Sequence, residues 1–287
     1  MGKRFYLVTT EHLCNRIWFK DDDDFKAGMN YVATVAPVIG VTVLAFILMS
    51  NHVHFVLYCA EDVALRFINE FKRRFSMYCS KKYGANEFLR RNSVDIREID
   101  DTDESLEKAI AYVQMNSVAA RIVTHPSQYQ WGTGEVFFNQ NPRQGKPASQ
   151  FSKRKLSAIL HSYEEFPEGY TINDSGYVNP ASYVNVEFVE KLFRTTTRMS
   201  YFLNNSSKAK KALENDAMPS FKDQSIIAAI PDLCVSLFRK KCMEELSLSQ
   251  KSELVKQLRY RFSADVSQLS RVLNTSYEIM TGMLDEY

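Results

Sequence analysis

Cysteine is sparse and scattered: five in 287 residues (Cys14, Cys59, Cys79, Cys234 and Cys242), an odd number with no C-x-x-C pair. That spacing argues against a disulfide framework and a zinc ribbon, and it fits a reducing, cytoplasmic setting. Charge of one sign is also scarce. A formal net charge of +2 is too mild to announce a nucleic-acid binder, so any basic surface must come from local clustering. Long apolar runs are missing too. The longest, residues 36–49, is broken by Pro37, Gly40 and Thr42 and falls short of the roughly 20 residues a membrane span needs. The opening Met1-Gly2-Lys3-Arg4 leads straight into a strand-like segment without the apolar core of a signal peptide, so neither secretion nor a membrane partner is expected.

What is present is an ordinary globular composition, 45% hydrophobic and 24% charged, with aromatics at a generous 13%. The length suits two domains, each able to bury a core. Residues 5–10 are aromatic and β-branched and read as a strand. The acids Asp21 to Asp24 suit the start of a helix ending near Pro37. Residues 41–49 and 52–59, split by Ser50-Asn51, read as a hairpin. Helical spacing runs over 62–83 up to Gly84, residues 93–99 alternate like a strand, and Thr102-Asp103-Glu104-Ser105 opens a helix with a stripe of Leu106, Ile110, Val113, Ser117 and Ala120. The order β-α-β-β-α-β-α is the split βαβ, or ferredoxin-like, layout. The fold class expected is therefore α+β, an antiparallel sheet with helices on one face plus an added helix.

Residues 141–151 read as an exposed basic loop, with helices resuming at 153 and over 181–202. The polar stretch 204–224 is the linker candidate, and everything beyond it reads as helix. The expected units are 1–140, a helical extension over 141–205, and an all-helical, helix-turn-helix-like unit over 225–287.

His52-Val53-His54 puts two imidazoles on one face of a strand, where they can grip one metal ion or simply form a polar, solvated face. Tyr112 and Asn116, four apart, share a flank of the helix after the last strand. Two histidines and an amide oxygen make an open site of moderate hardness, suited to Mg²⁺ or Mn²⁺ holding a phosphate. A phenol is a poor nucleophile at neutral pH and needs a polarised phosphorus and an aligned geometry. Without these, Tyr112 is a helix-flank aromatic packed on the sheet.

Phe46-Ile47-Leu48-Met49-Ser50-Asn51-His52-Val53-His54-Phe55-Val56-Leu57 resembles the HUH strand of single-tyrosine transposases, in their REP-associated branch. Tyr112-Val113-Gln114-Met115-Asn116-Ser117-Val118-Ala119-Ala120 resembles the tyrosine-helix motif of that family. The resemblance spans roughly residues 4–138. It implies that His52, His54 and Asn116 bind the metal and that Tyr112 attacks a DNA phosphate, leaving a 5′-phosphotyrosine and a free 3′-OH. It also implies that the substrate is single-stranded DNA beside a hairpin, worked on by a monomer or by a homodimer sharing sites. Ser117 stands where the family usually has Pro, and Ala119-Ala120-Arg121 where it has Arg-Ala-Gly. A hairpin-binding regulator with relaxed catalysis, and a nuclease using a metal-activated water, are the rival readings.

Between residues 66 and 97, nine cations (Arg66, Lys72, Arg73, Arg74, Lys81, Lys82, Arg90, Arg91 and Arg97) face only Glu70, Glu87 and Asp95. With Phe71, Phe75, Tyr78, Tyr83 and Phe88 interleaved, they could track a DNA backbone and stack bases, or form a solvated helix face with its aromatics in the core. Residues 246–284 resemble the helical DNA-binding end of the bacterial replication initiator through Ser267-Gln268-Leu269-Ser270-Arg271-Val272-Leu273-Asn274-Thr275-Ser276. The would-be recognition helix from Tyr277 has no Lys or Arg and carries Glu278, Asp285 and Glu286, which leaves protein binding or weak DNA binding open.

Overall fold

The computed structural model describes residues 2–10, 17–84, 93–161, 167–206, 222–262 and 264–285. Strand β1 (Arg4–Thr10) leads to helix α1 (Asp22–Ile39), then to β2 (Thr42–Met49), β3 (His52–Cys59), α2 (Glu61–Tyr83), β4 (Val94–Glu98) and α3 (Asp103–Gln114). The four strands form one antiparallel sheet in the order β2-β3-β1-β4. Helix α1 starts where its acids place it. Asp21 caps it by accepting from the Asp24 amide, and Gly40, at φ 76°, closes it in the left-handed region that glycine enters without strain. Pro37 lies within the last turn, where the helix runs two residues past the expected stop.

The two faces of the sheet differ in chemistry. Strand periodicity sends Val53, Phe55 and Leu57 to one face, where the Phe55 ring meets Phe67 and Phe71 of α2 at 5.1 and 5.7 Å. His52, His54 and Val56 turn to the other, which α3 covers. Helices α1 and α2 therefore share one face, and the added helix α3 lies on the other. The outer edge of β2 is sealed by residues 129–133: Leu48 N–H donates to Trp131 O and Thr133 N–H to Phe46 O. Gly132 permits that approach, since a Cβ there would sit 2.6 Å from the Phe46 carbonyl oxygen.

Beyond the sheet, β5 (Gly145–Pro147) pairs with β6 (Thr171–Asn173), so the stretch expected as a basic loop includes a strand. Arg143 in that stretch is ion-paired to Glu135 at 2.5 Å. Short helix α4 (Asn116–Ala119) follows α3, and α5 (Lys153–Leu160) packs near α1. The helix expected over 181–202 is two, α6 (Val186–Phe193) and α7 (Thr196–Asn205), parted at Arg194, whose φ is 63°. Their apolar side chains Val189, Phe193, Phe202 and Leu203 share one core with the sheet.

A separate core holds α8 (Asp223–Phe238), α9 (Leu248–Phe262), α10 (Val266–Val272) and α11 (Tyr277–Asp285) around Ile226, Leu254, Leu258, Leu269 and Met280. The linker expected over 204–224 is narrower: Asn204 and Asn205 end α7, Asp223 and Gln224 begin α8, and 207–221 lie outside the described residues. Cys59, Cys79, Cys234 and Cys242 are free thiols. No helix among the described residues is long and apolar enough to cross a membrane.

Candidate functional site

The site grows from one row across the sheet. The strand registers align Ile47, His54, Thr9 and Asp95 side by side on the face under α3. Thr9 Oγ1 and His54 Nδ1 share a hydrogen bond of 2.9 Å. Two residues earlier, the His52 Nδ1–H donates to Asn51 Oδ1 at 2.9 Å. The two imidazoles stand edge to face with ring centroids 4.7 Å apart. Because each Nδ1 is tied to an oxygen, the ring orientation is set from behind, and Nε2 is the ring atom that could ligate.

Helix α3 brings Tyr112 onto that row. Thr102 caps its first turn by accepting from the Ser105 amide. Leu106, Ile110 and Val113 are buried against the sheet, and Tyr112 beside them is half-buried, its ring 5.6 Å from that of His54 at 89°. Burial raises the Tyr112 pKa above its ordinary value, with Arg97 lowering it and Asp95 raising it further. Both of those charges stand on β4 on the same face, paired to each other at 2.6 Å.

Asn116 is not a further turn of the same helix, as its spacing from Tyr112 suggests. The helix breaks at Met115, and Asn116 opens α4. Its amide nitrogen donates back to the Tyr112 and Val113 carbonyls at 2.9 and 3.2 Å, satisfying acceptors near the break. The amide oxygen is then the ligating atom that Asn116 has to offer. Ser117, in the usual proline position, is fully buried with its hydroxyl donating to Gln114 O. His52, His54, Asn116 and Tyr112 thus lie on one side of the sheet, and of the four Tyr112 alone is appreciably accessible. Two Nε2 atoms and one Oδ1 could hold a divalent ion. Among the described residues no three His, Cys, Asp or Glu side chains cluster as an alternative.

The basic residues sit elsewhere. Helix α2 lies on the opposite face, behind Phe55. Lys72 is buried there, and burial lowers its pKa. Arg73 and Arg74 both bind the Glu70 carboxylate at 2.7 Å, and those hydrogen bonds hold Glu70 at about 2 against the effect of burial. Lys82 reaches Asp21 at 2.7 Å and Asp24 at 2.8 Å; burial pulls its pKa down, but these carboxylates outweigh it and hold it raised. Lys81 is exposed. Arg90 and Arg91 lie outside the described residues. Of the described cations counted between 66 and 97, the strand register places Arg97 on the histidine face.

Sequence reasoning passed over several residues that the structure brings to the site. Thr9 and Asn51 orient the two histidines. Asp223, within the expected linker, accepts from Ser50 Oγ at 2.6 Å, from Gln268 Nε2 at 2.8 Å and from Arg271 Nε at 3.2 Å, joining the C-terminal helices to the turn before His52. A polar residue in a polar stretch carries no signal of such a role.

No family profile and no curated protein matches the chain. Among solved structures, one described as a REP-associated tyrosine transposase bound to a REP hairpin is similar over 61% of this chain and 92% of that chain, with a TM-score of 0.40 and 13% identity.

Proposed function

We propose that this protein is a single-tyrosine strand transferase that cuts and rejoins single-stranded DNA beside a hairpin, on a ferredoxin-like sheet. The observation that carries the reading is the meeting of His54 and Tyr112, 58 positions apart in the chain, with ring centroids 5.6 Å apart. The tyrosine-helix and HUH-strand resemblances require that pair to share one site. The nearness of Thr9 and Asn51 to the two Nδ1 atoms further supports a metal-binding role for His52 and His54.

In this reading His52, His54 and Asn116 hold Mg²⁺ or Mn²⁺, which when bound withdraws charge from the scissile phosphate. Tyr112 Oη forms a bond to phosphorus as the P–O3′ bond breaks. The phenol proton leaves the tyrosine and the departing 3′-oxygen is protonated, giving a 5′-phosphotyrosine and a 3′-OH. Attack by a 3′-OH on that linkage releases Tyr112 and restores a phosphodiester, so no nucleotide cofactor is consumed. Burial raises the Tyr112 pKa, so the free protein presents phenol rather than phenolate at neutral pH.

A second reading, a hairpin-binding regulator without strand transfer, is favoured by the burial of His52, His54 and Asn116, each 5% exposed or less. One experiment separates the two. End-labelled hairpin-bearing single strands from the DNA flanking the coding sequence are incubated with the protein and Mg²⁺ or Mn²⁺ and run on a denaturing gel. A covalent band lost with EDTA and with Tyr112→Phe is expected. Binding without a band moves the assignment to the regulator, and cleavage that survives Tyr112→Phe moves it to a water-using nuclease.

A further inference from the structure

Beside Tyr112 a cavity of about 390 Å³ opens between α3 and α7, lined among others by Glu104, Lys108 and Tyr112 from α3 and by Tyr201, Phe202 and Asn205 from α7. Its size is within the range of small-ligand sites. Its far wall is an aromatic that the fold does not need for its core: Tyr201 is 61% exposed, while Phe202 beside it is buried.

That wall is held firmly. The Arg198 guanidinium grips the fully buried Glu107 carboxylate of α3 at 2.5 and 2.8 Å and lies 5.4 Å from the centre of the Phe202 ring. Phe202 meets Phe193 edge to face at 6.0 Å and Tyr201 edge to face at 5.4 Å. Tyr201 is thus braced along one edge by a fixed ring. The charged lining cancels, since Lys108 binds Glu104 at 2.6 Å, so the cavity does not suit a phosphate. Asn205 donates its amide nitrogen to Tyr201 O, so its oxygen and the Glu104 carboxylate are the acceptors that the lining offers. An uncharged, flat group carrying hydrogen-bond donors fits this lining.

Resting on the strand-transfer reading above, we propose that the α3–α7 cavity seats the nucleobase next to the phosphate attacked by Tyr112, stacked on Tyr201. The acceptors favour a base with an exocyclic amine over thymine. Seating that base outside the strand's own stack would anchor the strand beside Tyr112, making Tyr201 a substrate-binding residue whose loss shows in KM.

The test uses the full-length protein with hairpin-bearing strands carrying 2-aminopurine at each position around the cleavage junction. Wild type is expected to quench one position. Tyr201→Ala should lose that quench and raise the KM for adduct formation about tenfold with kcat within about twofold, the loss expected for one stacked base. Tyr201→Phe, which keeps the ring, should retain both properties, and thymine at the quenched position should raise KM in wild type. Wild-type quench and KM in Tyr201→Ala, with the adduct forming normally, overturn the base seat and leave the strand-transfer reading standing. A wild-type protein that forms no adduct on any strand overturns both.

Discussion

Consecutive residues of β3 face two different environments. Phe55 meets the Phe67 and Phe71 rings of α2 edge to face, and Arg73, Arg74 and Lys82 of that helix are held by Glu70, Asp21 and Asp24. His54 points the other way, bonded to Thr9 and edge to face with Tyr112, with Asp95 and Arg97 on the same face of the neighbouring strand. One face is packed with chemically inert rings, while the other buries His52 and His54 next to the half-buried Tyr112 and the exposed Asp95–Arg97 pair. On α2, Arg73, Arg74 and Lys82 carry carboxylate partners that any DNA contact would have to displace.

The sharpest way to break this comparison is to substitute the two neighbours. His54→Ala should lower adduct formation per folded molecule at least about 100-fold, since even the residues that orient a metal ligand are worth about 10- to 100-fold, with a stability loss smaller than that of Phe55→Ala. Phe55→Ala should do the reverse: a loss of about 3–5 kcal/mol in urea unfolding, with adduct formation per folded molecule near that of wild type. Equal activity losses in the two variants, after correction for folded fraction, would show that the faces are not functionally distinct.

How much of this was legible follows from the range of each interaction. That His52 and His54 share a face is a consequence of the strand period and needs nothing beyond the sequence. The hairpin, the sheet strands and the starts of α1 and α3 follow from alternation and capping acids in the same way. The break at Met115 does not, because the sequence there has no glycine or proline and the helix stops where Asn116 folds back onto its carbonyls. The ion pairing within the basic cluster was half visible: Glu70 is one helical turn from Arg73 and Arg74. Asp21 and Asp24, the partners of Lys82, are 61 and 58 residues away and no local pattern points to them. Asp223 reaches further still, bonded to Ser50 at a separation of 173 residues.

Asp223 extends the comparison from the two faces to the two cores. The carboxylate is nearly buried and answers donors from both the sheet unit and the C-terminal helices, so Asp223→Ala strands Ser50, Gln268 and Arg271 together. Removing one member of a buried, hydrogen-bonded charge pair costs about 3 kcal/mol. Tryptic cleavage between the two cores should become faster in the variant, and the residue 266–273 amides should lose hydrogen-exchange protection before those of β3. Equal protection in both proteins would mean that the helices are held to the hairpin turn by other contacts.

The smallest effect expected concerns the inert face and is read by pH. Glu70 sits at about 2 in the folded protein, held there by Arg73 first and Arg74 as well, against an unfolded value of about 4.3. A carboxyl depressed by folding stabilises fully above its unfolded value and loses that contribution as pH falls towards its folded one. The Arg73 partner is half exposed, so solvent screens the pair and the gain is below about 1 kcal/mol. Glu70→Gln should therefore lower the Tm slightly at neutral pH, with the gap to wild type closing as pH drops from about 5 towards 2. With Glu70 gone, Arg73 and Arg74 are also released from their shared partner. If α2 has no part in holding DNA, the affinity of Glu70→Gln for hairpin strands at physiological salt stays within about twofold of wild type, whereas a clear gain in affinity would mean that Glu70 masks a working DNA surface on the face opposite Tyr112.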